Sequence, residues 1–231
     1  MQAVILAGGK GTRMGELTRH IPKPLLMVGG KNLLEHKIDI LPSEIDEIII
    51  VIGHLGNKIR EHFGNSYNGR KITFVEQGNP LGTAHALFGT RDLIKGRFLS
   101  MMGDDIYGPE SIRSVMKHPF AISTIPSPGF AGIGKVEINE DGYLTDILFS
   151  NKDEGGLITI ENGLYSLTPD VFNFPMVKIP GKEEYGLPHT VLAQIKNGTI
   201  KLKTTKADYW IKINSPADLV IAENILREKN D

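Results

Sequence analysis

The sequence predicts an α/β fold in which helices cover both faces of a mostly parallel sheet. In the first half, strand and helix patterns alternate at the spacing that parallel strands with helical crossovers require. The second half contains alternating apolar and polar runs separated by turn residues, which indicates a β-rich lobe. We therefore expect a single domain over residues 1–231, with a first part at 1–118 and a second part at 119–231.

The first half opens with an apolar, partly β-branched run at residues 1–6, which is typical of a buried strand. The patterns that follow predict helices at 32–41, 58–63 and 83–93, and strands at 47–52, 71–75 and 97–102. In a parallel sheet the carboxyl ends of the strands share one edge, where ligands bind. Gly8, Gln77 and Asp104 each follow a predicted strand, so we expect these residues to meet at that edge.

The second half contains a hairpin signal. Two alternating runs, at 133–138 and 143–149, flank the turn sequence Asn139-Glu140-Asp141-Gly142. Beyond the hairpin the patterns predict a strand at 157–167, a helix at 187–196, an edge strand at 200–205 and a helix at 215–229. Ser215 is suited to the N-cap of the last helix, and Pro216 to its first turn.

The composition narrows the class of ligand. Lys and Arg number 26 against 27 Asp and Glu, so no excess charge predicts a nucleic-acid or membrane partner, and a small molecule is expected instead. The chain contains no cysteine, which excludes disulfides, thiolate catalysis and thiolate metal sites. No apolar run is long enough to cross a bilayer or to act as a signal peptide, so we expect a cytoplasmic protein.

A glycine-rich loop follows the first strand, in the sequence Leu6-Ala7-Gly8-Gly9-Lys10-Gly11-Thr12-Arg13-Met14. Glycines allow backbone amides to approach an anion closely, and Arg13 and Lys23 add positive charge for phosphate oxygens. A Walker loop would need Ser or Thr after the lysine, and a dinucleotide loop would need Gly where Met14 stands. The loop therefore predicts a nucleoside triphosphate site that is neither a Walker loop nor a dinucleotide loop.

This loop, together with Pro22-Lys23-Pro24, resembles the opening of the sugar-1-phosphate nucleotidyltransferase family. The resemblance extends to about residue 224 and implies a Rossmann-like fold with a sugar-binding lobe in the second half. It implies an enzyme that joins an NTP and a hexose 1-phosphate, of glucose or an N-acetylhexosamine, into a nucleotide sugar and pyrophosphate. Mg²⁺ is the cofactor that it implies.

The resemblance also assigns roles to residues of this chain. Arg13 and Lys23 would stabilise the triphosphate, and Asp104 would hold Mg²⁺, with Asp105 as the weaker candidate. The nucleotide-binding residues would be Leu6, Ala7, Gly8, Gly9, Lys10, Gly11, Thr12, Gln77, Gly82 and Thr83. The residues that bind the sugar phosphate would be Lys152, Asn162, Gly163 and Glu184.

The choice of nucleobase depends on Gln77, which precedes Gly82 by the family's spacing. A side-chain amide offers a donor and an acceptor together, which suits the imide edge of uracil or thymine. We therefore expect UTP, with dTTP next. The sequence Pro80-Leu81-Gly82-Thr83-Ala84 also resembles guanylyltransferases.

The chain departs from the family at three positions. Lys152 lacks the flanking Glu and Pro of the family's sugar-phosphate lysine, and His189 stands where an Asp is usual. Many members carry W-x-D-x-G-T, in which the Asp binds a second metal ion, but Lys212 occupies that position. N-acetylglucosamine-1-phosphate uridylyltransferases use an Asn in this region, and by that resemblance Asn214 is the candidate for a second metal ligand.

These departures leave other functions open. A cytidylyltransferase or guanylyltransferase acting on another phosphorylated sugar, a polyol phosphate or phosphocholine is one alternative. A non-catalytic module that senses nucleotide sugars on the same fold is another, and Lys212 and His189 favour it. The expected partners are small-molecule substrates, and assembly into a homo-oligomer stays open.

Overall fold

A computed structural model describes residues 1–128, 134–149 and 155–230 of the chain. The strands are β1 (Gln2–Ala7), β2 (Met27–Val28), β3 (Lys31–Asn32), β4 (Glu47–Ile52), β5 (Ser66–Tyr67), β6 (Arg70–Glu76), β7 (Phe98–Met102), β8 (Asp105–Tyr107), β9 (Ala121–Pro128), β10 (Gly134–Ile138), β11 (Leu144–Phe149), β12 (Leu157–Leu167), β13 (Lys203–Lys206) and β14 (Trp210–Lys212). The α-helices are α1 (Leu33–Asp39), α2 (Gly56–Phe63), α3 (Thr83–Phe88), α4 (Pro109–Met116), α5 (Leu187–Lys196) and α6 (Pro216–Asn230). Short 3₁₀ helices lie at Thr12–Thr18, Lys23–Leu25, Arg91–Leu93 and Pro169–Asn173.

The first half forms a parallel sheet centred on β1. Strands β4 and β7 flank β1 in parallel, and β6 continues the sheet beyond β4. Leu6 near the end of β1 is in register with Val51 of β4 and Met102 of β7. The carboxyl ends of these strands therefore lie side by side, as the sequence predicted.

Both faces of this sheet are buried because its side chains alternate between two apolar cores. Ala3, Ile5 and Ala7 of β1 pack in one core, to which α1, α2 and α4 contribute apolar residues. Val4 and Leu6 pack in the other core, to which α3 and α5 contribute. Helices on both faces confirm the predicted α/β class.

The second half extends the same sheet with antiparallel strands. β12 pairs with both β7 and β9, and β10 and β11 form a hairpin beside it. The predicted hairpin is confirmed over 134–138 and 144–149, while residue 133 lies outside the described residues. The register between β12 and β9 shifts between Glu161 and Tyr165, which marks a bulge in the longer strand.

Several elements differ from the sequence prediction. The prediction of one helix over 83–93 was wrong in extent. Helix α3 ends at Phe88, and a separate 3₁₀ turn covers Arg91–Leu93. Gly89 and Thr90 stop the helix, and the Thr90 hydroxyl caps the Leu87 carbonyl at 2.7 Å. The strand predicted at 200–205 lies at Lys203–Lys206, where it pairs in parallel with β9.

Among the helices of residues 1–128, 134–149 and 155–230, none has the length and apolarity needed to cross a bilayer.

Candidate active site

The glycine loop after β1 is shaped by close contacts that larger residues would disrupt. A Cβ at Gly8 would lie 2.7 Å from Oε1 of Gln77, and a Cβ at Gly11 would lie 2.9 Å from Cβ of Lys23. Gly11 also has a φ of +64°, in the left-handed region that favours glycine. The loop therefore brings the ends of β1 and β6 and the first 3₁₀ segments together.

Lys23 and Asp104 form an ion pair at the base of this loop. Nζ of Lys23 donates to Oδ2 of Asp104 at 2.5 Å, and only 6% of the lysine side chain is exposed against 31% of the aspartate. Asp104 lies in the turn between β7 and β8, at the end of the parallel sheet. The pair holds one carboxylate oxygen and leaves the aspartate partly open to a ligand.

A second pair of charged groups is buried beside this one. Asp105 accepts a hydrogen bond from Nε1 of Trp210 at 3.1 Å, and Nζ of Lys37 donates to the Leu33 carbonyl at 2.8 Å. Burial raises the pKa of Asp105 and lowers the pKa of Lys37, and the opposite charges partly offset that effect. Asp105 is therefore largely enclosed by protein, and Asp104 is the more accessible of these two carboxylates.

A first cavity of about 500 Å³ opens above the glycine loop. The residues that line it include Gly8, Lys10, Gln77, Gly82 and Asp104. Nε2 of Gln77 donates to the Gly82 carbonyl at 3.3 Å, so the amide is already oriented in the free protein. The cavity thus offers glycine amides, the side chains of Lys10 and Lys23 and the amide of Gln77. These groups suit a ligand with phosphates at one end and a base at the other.

Gly82 joins the first cavity to the segment before α5. Its φ is +96°, and a Cβ there would lie 2.4 Å from the carbonyl oxygen of Tyr185. The two segments are held together by hydrogen bonds from Tyr185 N to Leu81 O at 2.7 Å and from Ala84 N to Tyr185 O at 3.0 Å. Only glycine fits this close approach of two backbones.

We expect Gly82→Ala to lower the free energy of unfolding by about 2–4 kcal/mol. A residue with a Cβ is strained at this positive φ, and the Cβ would clash with the Tyr185 backbone. The measurement is urea unfolding of the purified protein, followed by circular dichroism. Gly78→Ala is the matched control, because a Cβ at Gly78 meets no heavy atom within 4 Å. A loss at Gly82 no larger than that at Gly78 would contradict this account of the turn.

A second cavity of about 360 Å³ lies on the side of the β-rich half. Arg13, Glu161, Lys212 and Asn214 are among the polar residues that line it. The two cavities share lining residues, namely Leu6, Thr83, Met102, Asp104 and Ile179. Asp104 is the charged member of that shared set, so its carboxylate lies where the two cavities meet.

The floor of the second cavity is the bulge in β12. Asn162 is buried, and its amide donates to Oγ of Ser123 at 3.2 Å and accepts from Leu164 N at 3.3 Å. The Asn162 carbonyl accepts from the Tyr107 hydroxyl at 3.0 Å. Gly163 has a φ of +77° and packs against Met102. The Asn162 side chain therefore holds the bulge in place. Gly163 and Tyr165, which follow it on β12, line the cavity.

His189 lies at the far wall of the second cavity. Its ring stacks on Phe149 with centroids 4.2 Å apart and planes inclined by 10°. Among the described residues, neither ring nitrogen has a hydrogen-bond partner. Burial lowers the pKa of His189, and the charge of Lys182 adds to that effect, so the imidazole is neutral at pH 7.

The predicted site residues divide between the two cavities. The first is lined by Leu6, Ala7, Gly8, Gly9, Lys10, Gly11, Thr12, Lys23, Gln77, Gly82, Thr83, Asp104 and Glu184. The second is lined by Leu6, Arg13, Thr83, Asp104, Asn162, Gly163 and Asn214. Glu184, expected at the sugar phosphate, thus lines the first cavity and not the second. Lys152 lies outside the described residues.

Asp104 and Asn214 could together hold a divalent cation. Within the described parts of the chain, no group of three or more His, Cys, Asp or Glu side chains has the arrangement of a metal site. Mg²⁺ nevertheless needs only one or two protein oxygens when phosphates and waters complete its shell. Asn214 lines the second cavity together with Asp104, and its backbone N–H donates to Oδ2 of Asp218 at 2.7 Å. The donor set therefore fits Mg²⁺ bound together with a phosphorylated substrate.

Comparison with known families gives a match over almost the whole chain. The family model described as Nucleotidyl transferase matches residues 2–229. Bifunctional protein GlmU of Methanococcus maripaludis is 30% identical, over 97% of this chain and 54% of its own length. The chain thus spans about half the length of the GlmU relatives that it matches.

Two other relatives match along nearly their full length. UTP--glucose-1-phosphate uridylyltransferase AglF of Haloferax volcanii is 29% identical, over 99% of this chain and 98% of its own. D-glycero-alpha-D-manno-heptose 1-phosphate guanylyltransferase of Campylobacter jejuni is 29% identical, over 94% of this chain and 96% of its own.

Among solved structures, the fold matches UDP-glucose pyrophosphorylase complexed with UDP-glucose, with a TM-score of 0.80. That match has 21% sequence identity and covers 99% of this chain and 98% of the other. HddC from Yersinia pseudotuberculosis also matches, with a TM-score of 0.73, 24% identity and coverage of 97% and 99%. At these identities the two structures show a shared fold.

Proposed function

Because this chain belongs to the nucleotidyl transferase family, we propose that it joins UTP and a hexose 1-phosphate into a nucleotide sugar and pyrophosphate. The proposed hexose is glucose or an N-acetylhexosamine. As part of this proposal, the reaction takes place in the cytoplasm.

One observation carries the proposal: the two cavities meet at Asp104. The glycine loop and Gln77 make the first cavity suitable for a nucleoside triphosphate. Arg13, in the 3₁₀ segment that follows the glycine loop, lines the second cavity. This cavity is suited to the sugar phosphate. The attacking oxygen and the α-phosphate would then lie on either side of the same carboxylate, which is the proximity that the reaction requires.

The proposed reaction is a displacement at phosphorus. An oxygen of the sugar phosphate forms a bond to the α-phosphorus of UTP, while the bond from that phosphorus to the bridging oxygen breaks. The electron pair leaves with pyrophosphate. The attacking phosphate is already ionised at neutral pH, so no general base is needed, and the catalytic work is positioning and charge neutralisation.

Two cationic side chains, together with a metal ion held by Asp104, would supply this neutralisation. Arg13 offers a planar set of donors to phosphate oxygens, and Lys23 brings a compact positive charge to the end of the loop. Asp104, with Asn214, would hold Mg²⁺. When bound, the ion neutralises triphosphate oxygens and stabilises the pyrophosphate that leaves. Lys23 also orients Asp104 through their 2.5 Å ion pair.

The preference for UTP rests on Gln77. Its amide lines the first cavity and is oriented by Gly82, so it can pair with the imide edge of uracil. Similarity to the heptose 1-phosphate guanylyltransferase supports GTP as the second candidate, because the two chains are 29% identical over most of their lengths. dTTP is the third, since thymine presents the same edge as uracil.

The test is a panel assay for pyrophosphate release. The protein is mixed with Mg²⁺, each of UTP, dTTP, GTP, CTP and ATP in turn, and a set of sugar 1-phosphates, polyol phosphates and phosphocholine. We expect release with UTP and glucose 1-phosphate or N-acetylglucosamine 1-phosphate. Release with another pairing alone would overturn the substrate assignment. Binding of a nucleotide sugar without any release would support the non-catalytic alternative instead.

A further inference from the structure

Lys212 occupies a fixed position in the second cavity. It lies on β14, which pairs antiparallel with β8, and it is directly opposite Asp105 in that register. Trp210, two residues earlier on the same face, bonds Asp105 through its indole N–H, and Nζ of Lys212 lies 5.8 Å from the Trp210 ring centroid. The strand pairing and the indole therefore restrict where the ammonium group can lie.

The charges around this ammonium favour an anionic ligand. Three acids among the described residues line the second cavity: Asp104 is paired with Lys23, and Asp105 is buried under Trp210 near the positive charge of Lys37. Glu161 accepts hydrogen bonds from Gly163 N at 2.8 Å and the Tyr165 hydroxyl at 3.3 Å, and its burial raises its pKa despite the nearby charge of Lys212.

Positive side chains from three separate segments line the same cavity, namely Arg13, Lys182 and Lys212. Lys23 and Lys37 do not line this cavity and offset the charges of Asp104 and Asp105, so among the described residues three lining cations stand against Glu161 and the potential is positive. A phosphate group is the part of a sugar phosphate that such a potential attracts.

We propose that Lys212 binds the phosphate of the sugar phosphate, with a fixed ammonium group at the position where many family members carry a metal-binding acid. This inference rests on the proposed function. Arg13 and Lys212 line the cavity from different elements, and in this proposal both contact the phosphate. Lys212 would then neutralise phosphate charge directly, where those family members use a metal ion held by the acid.

The product offers a way to measure this contact without turnover. Once the new bond has formed, the former sugar phosphate is the phosphate group that carries the sugar in the nucleotide sugar. UDP-glucose contains this group and UMP does not. A residue that binds the sugar phosphate should therefore contribute to the affinity for UDP-glucose and not to the affinity for UMP.

The experiment is isothermal titration of UMP and UDP-glucose into the wild-type protein, Lys212→Met, Lys212→Arg and Lys212→Asp. We expect Lys212→Met to weaken UDP-glucose binding by about tenfold or more, since a hydrogen bond to a charged group is lost. UMP binding should stay unchanged. Lys212→Arg should keep most of the UDP-glucose affinity, and Lys212→Asp should lose more than Lys212→Met.

Lys206→Met is the matched control, because Lys206 is exposed on β13 and lines neither cavity. It should bind both nucleotides as the wild type does. In steady state, Lys212→Met should raise KM for the sugar phosphate and leave KM for UTP unchanged, a split that a general loss of structure would not produce.

Equal weakening of UMP and UDP-glucose by Lys212→Met, or no effect on either, would overturn the inference alone. Wild-type-like binding of UDP-glucose by Lys212→Asp would overturn it as well. A wild-type protein that binds neither nucleotide would overturn the proposed function, and this inference with it.

Discussion

Replacing Asp104 with Asn should lower kcat/KM by about 10²–10³-fold, the range found when one preorganised electrostatic contact is removed from an active site. The substitution removes the negative charge that would hold Mg²⁺ and breaks the 2.5 Å ion pair with Lys23. The side chain keeps its size, so the turn between β7 and β8 should stay folded. The measurement is the rate of pyrophosphate release as a function of Mg²⁺ concentration, and the variant should need more Mg²⁺ for half-maximal rate.

Asp92→Asn is the matched control for this prediction. Asp92 is an exposed aspartate in the Arg91–Leu93 turn and lines neither cavity. Its replacement should leave the rate and the Mg²⁺ dependence unchanged. If Asp104→Asn had the same activity and the same Mg²⁺ dependence as Asp92→Asn, Asp104 would not be the metal-binding carboxylate.

Replacing Arg13 with Met should lower kcat/KM by about 10²-fold or more, because the guanidinium is expected to neutralise phosphate charge as the reaction proceeds. Arg13 is exposed at the start of the first 3₁₀ segment and lines the second cavity. Its loss should therefore reduce activity without lowering the melting temperature. Arg13→Lys should recover only part of the rate, since lysine cannot bind two oxygens in the same plane.

Arg97→Met provides the comparison, because Arg97 is exposed beside β7 and lines neither cavity. It should retain the wild-type rate. If Arg13→Met turned over as fast as Arg97→Met with UTP and glucose 1-phosphate, Arg13 would have no part in the reaction.

The parallel half of the fold could be predicted from the sequence because its signals are local. The apolar run at β1, the glycine loop after it and the alternation up to β7 each lie within a short window. The carboxyl ends of β1, β6 and β7 then have to meet at one edge, which is why Gly8, Gln77 and Asp104 were expected together. All three line the first cavity.

The antiparallel half was harder because its pairings are long-range. Strand β9 was not predicted, although it pairs with β12 and with β13 from the far end of the chain. The short pair of β8 and β14 was missed for the same reason, and this pair sets Lys212 opposite Asp105. Two strands of three residues carry too little pattern to be recognised before their partners are known.

Lys37 was missed although the sequence contains a signal for it. The buried face of α1 carries Leu33, Leu34 and Ile38, and Lys37 falls at the helical spacing of that same face. A lysine in the middle of an apolar stripe is unusual enough to indicate a buried charge with a partner. The charge of Asp105, which partly offsets the burial of Lys37, is distant in sequence and could be identified only from the fold.

The placement of Glu184 shows why a family pattern does not fix every contact. The segment before α5 crosses between the two cavities, and Tyr185 is bonded to the Leu81 backbone beside Gly82. Glu184 consequently lines the first cavity, while His189, the third residue of α5, lines the second. Which side a residue faces depends on this packing between two distant segments.

In the proposed function, one ligand spans both cavities across Asp104, with a nucleotide on one side and a sugar on the other. The most direct measurement is a crystal structure of the protein with UDP-glucose and Mg²⁺. We expect the uracil against Gln77 and Gly82, the glucose beside the β12 bulge, and the two phosphates next to Asp104. A nucleotide bound away from the glycine loop, with the Asp104 carboxylate remote from its phosphates, would contradict the account.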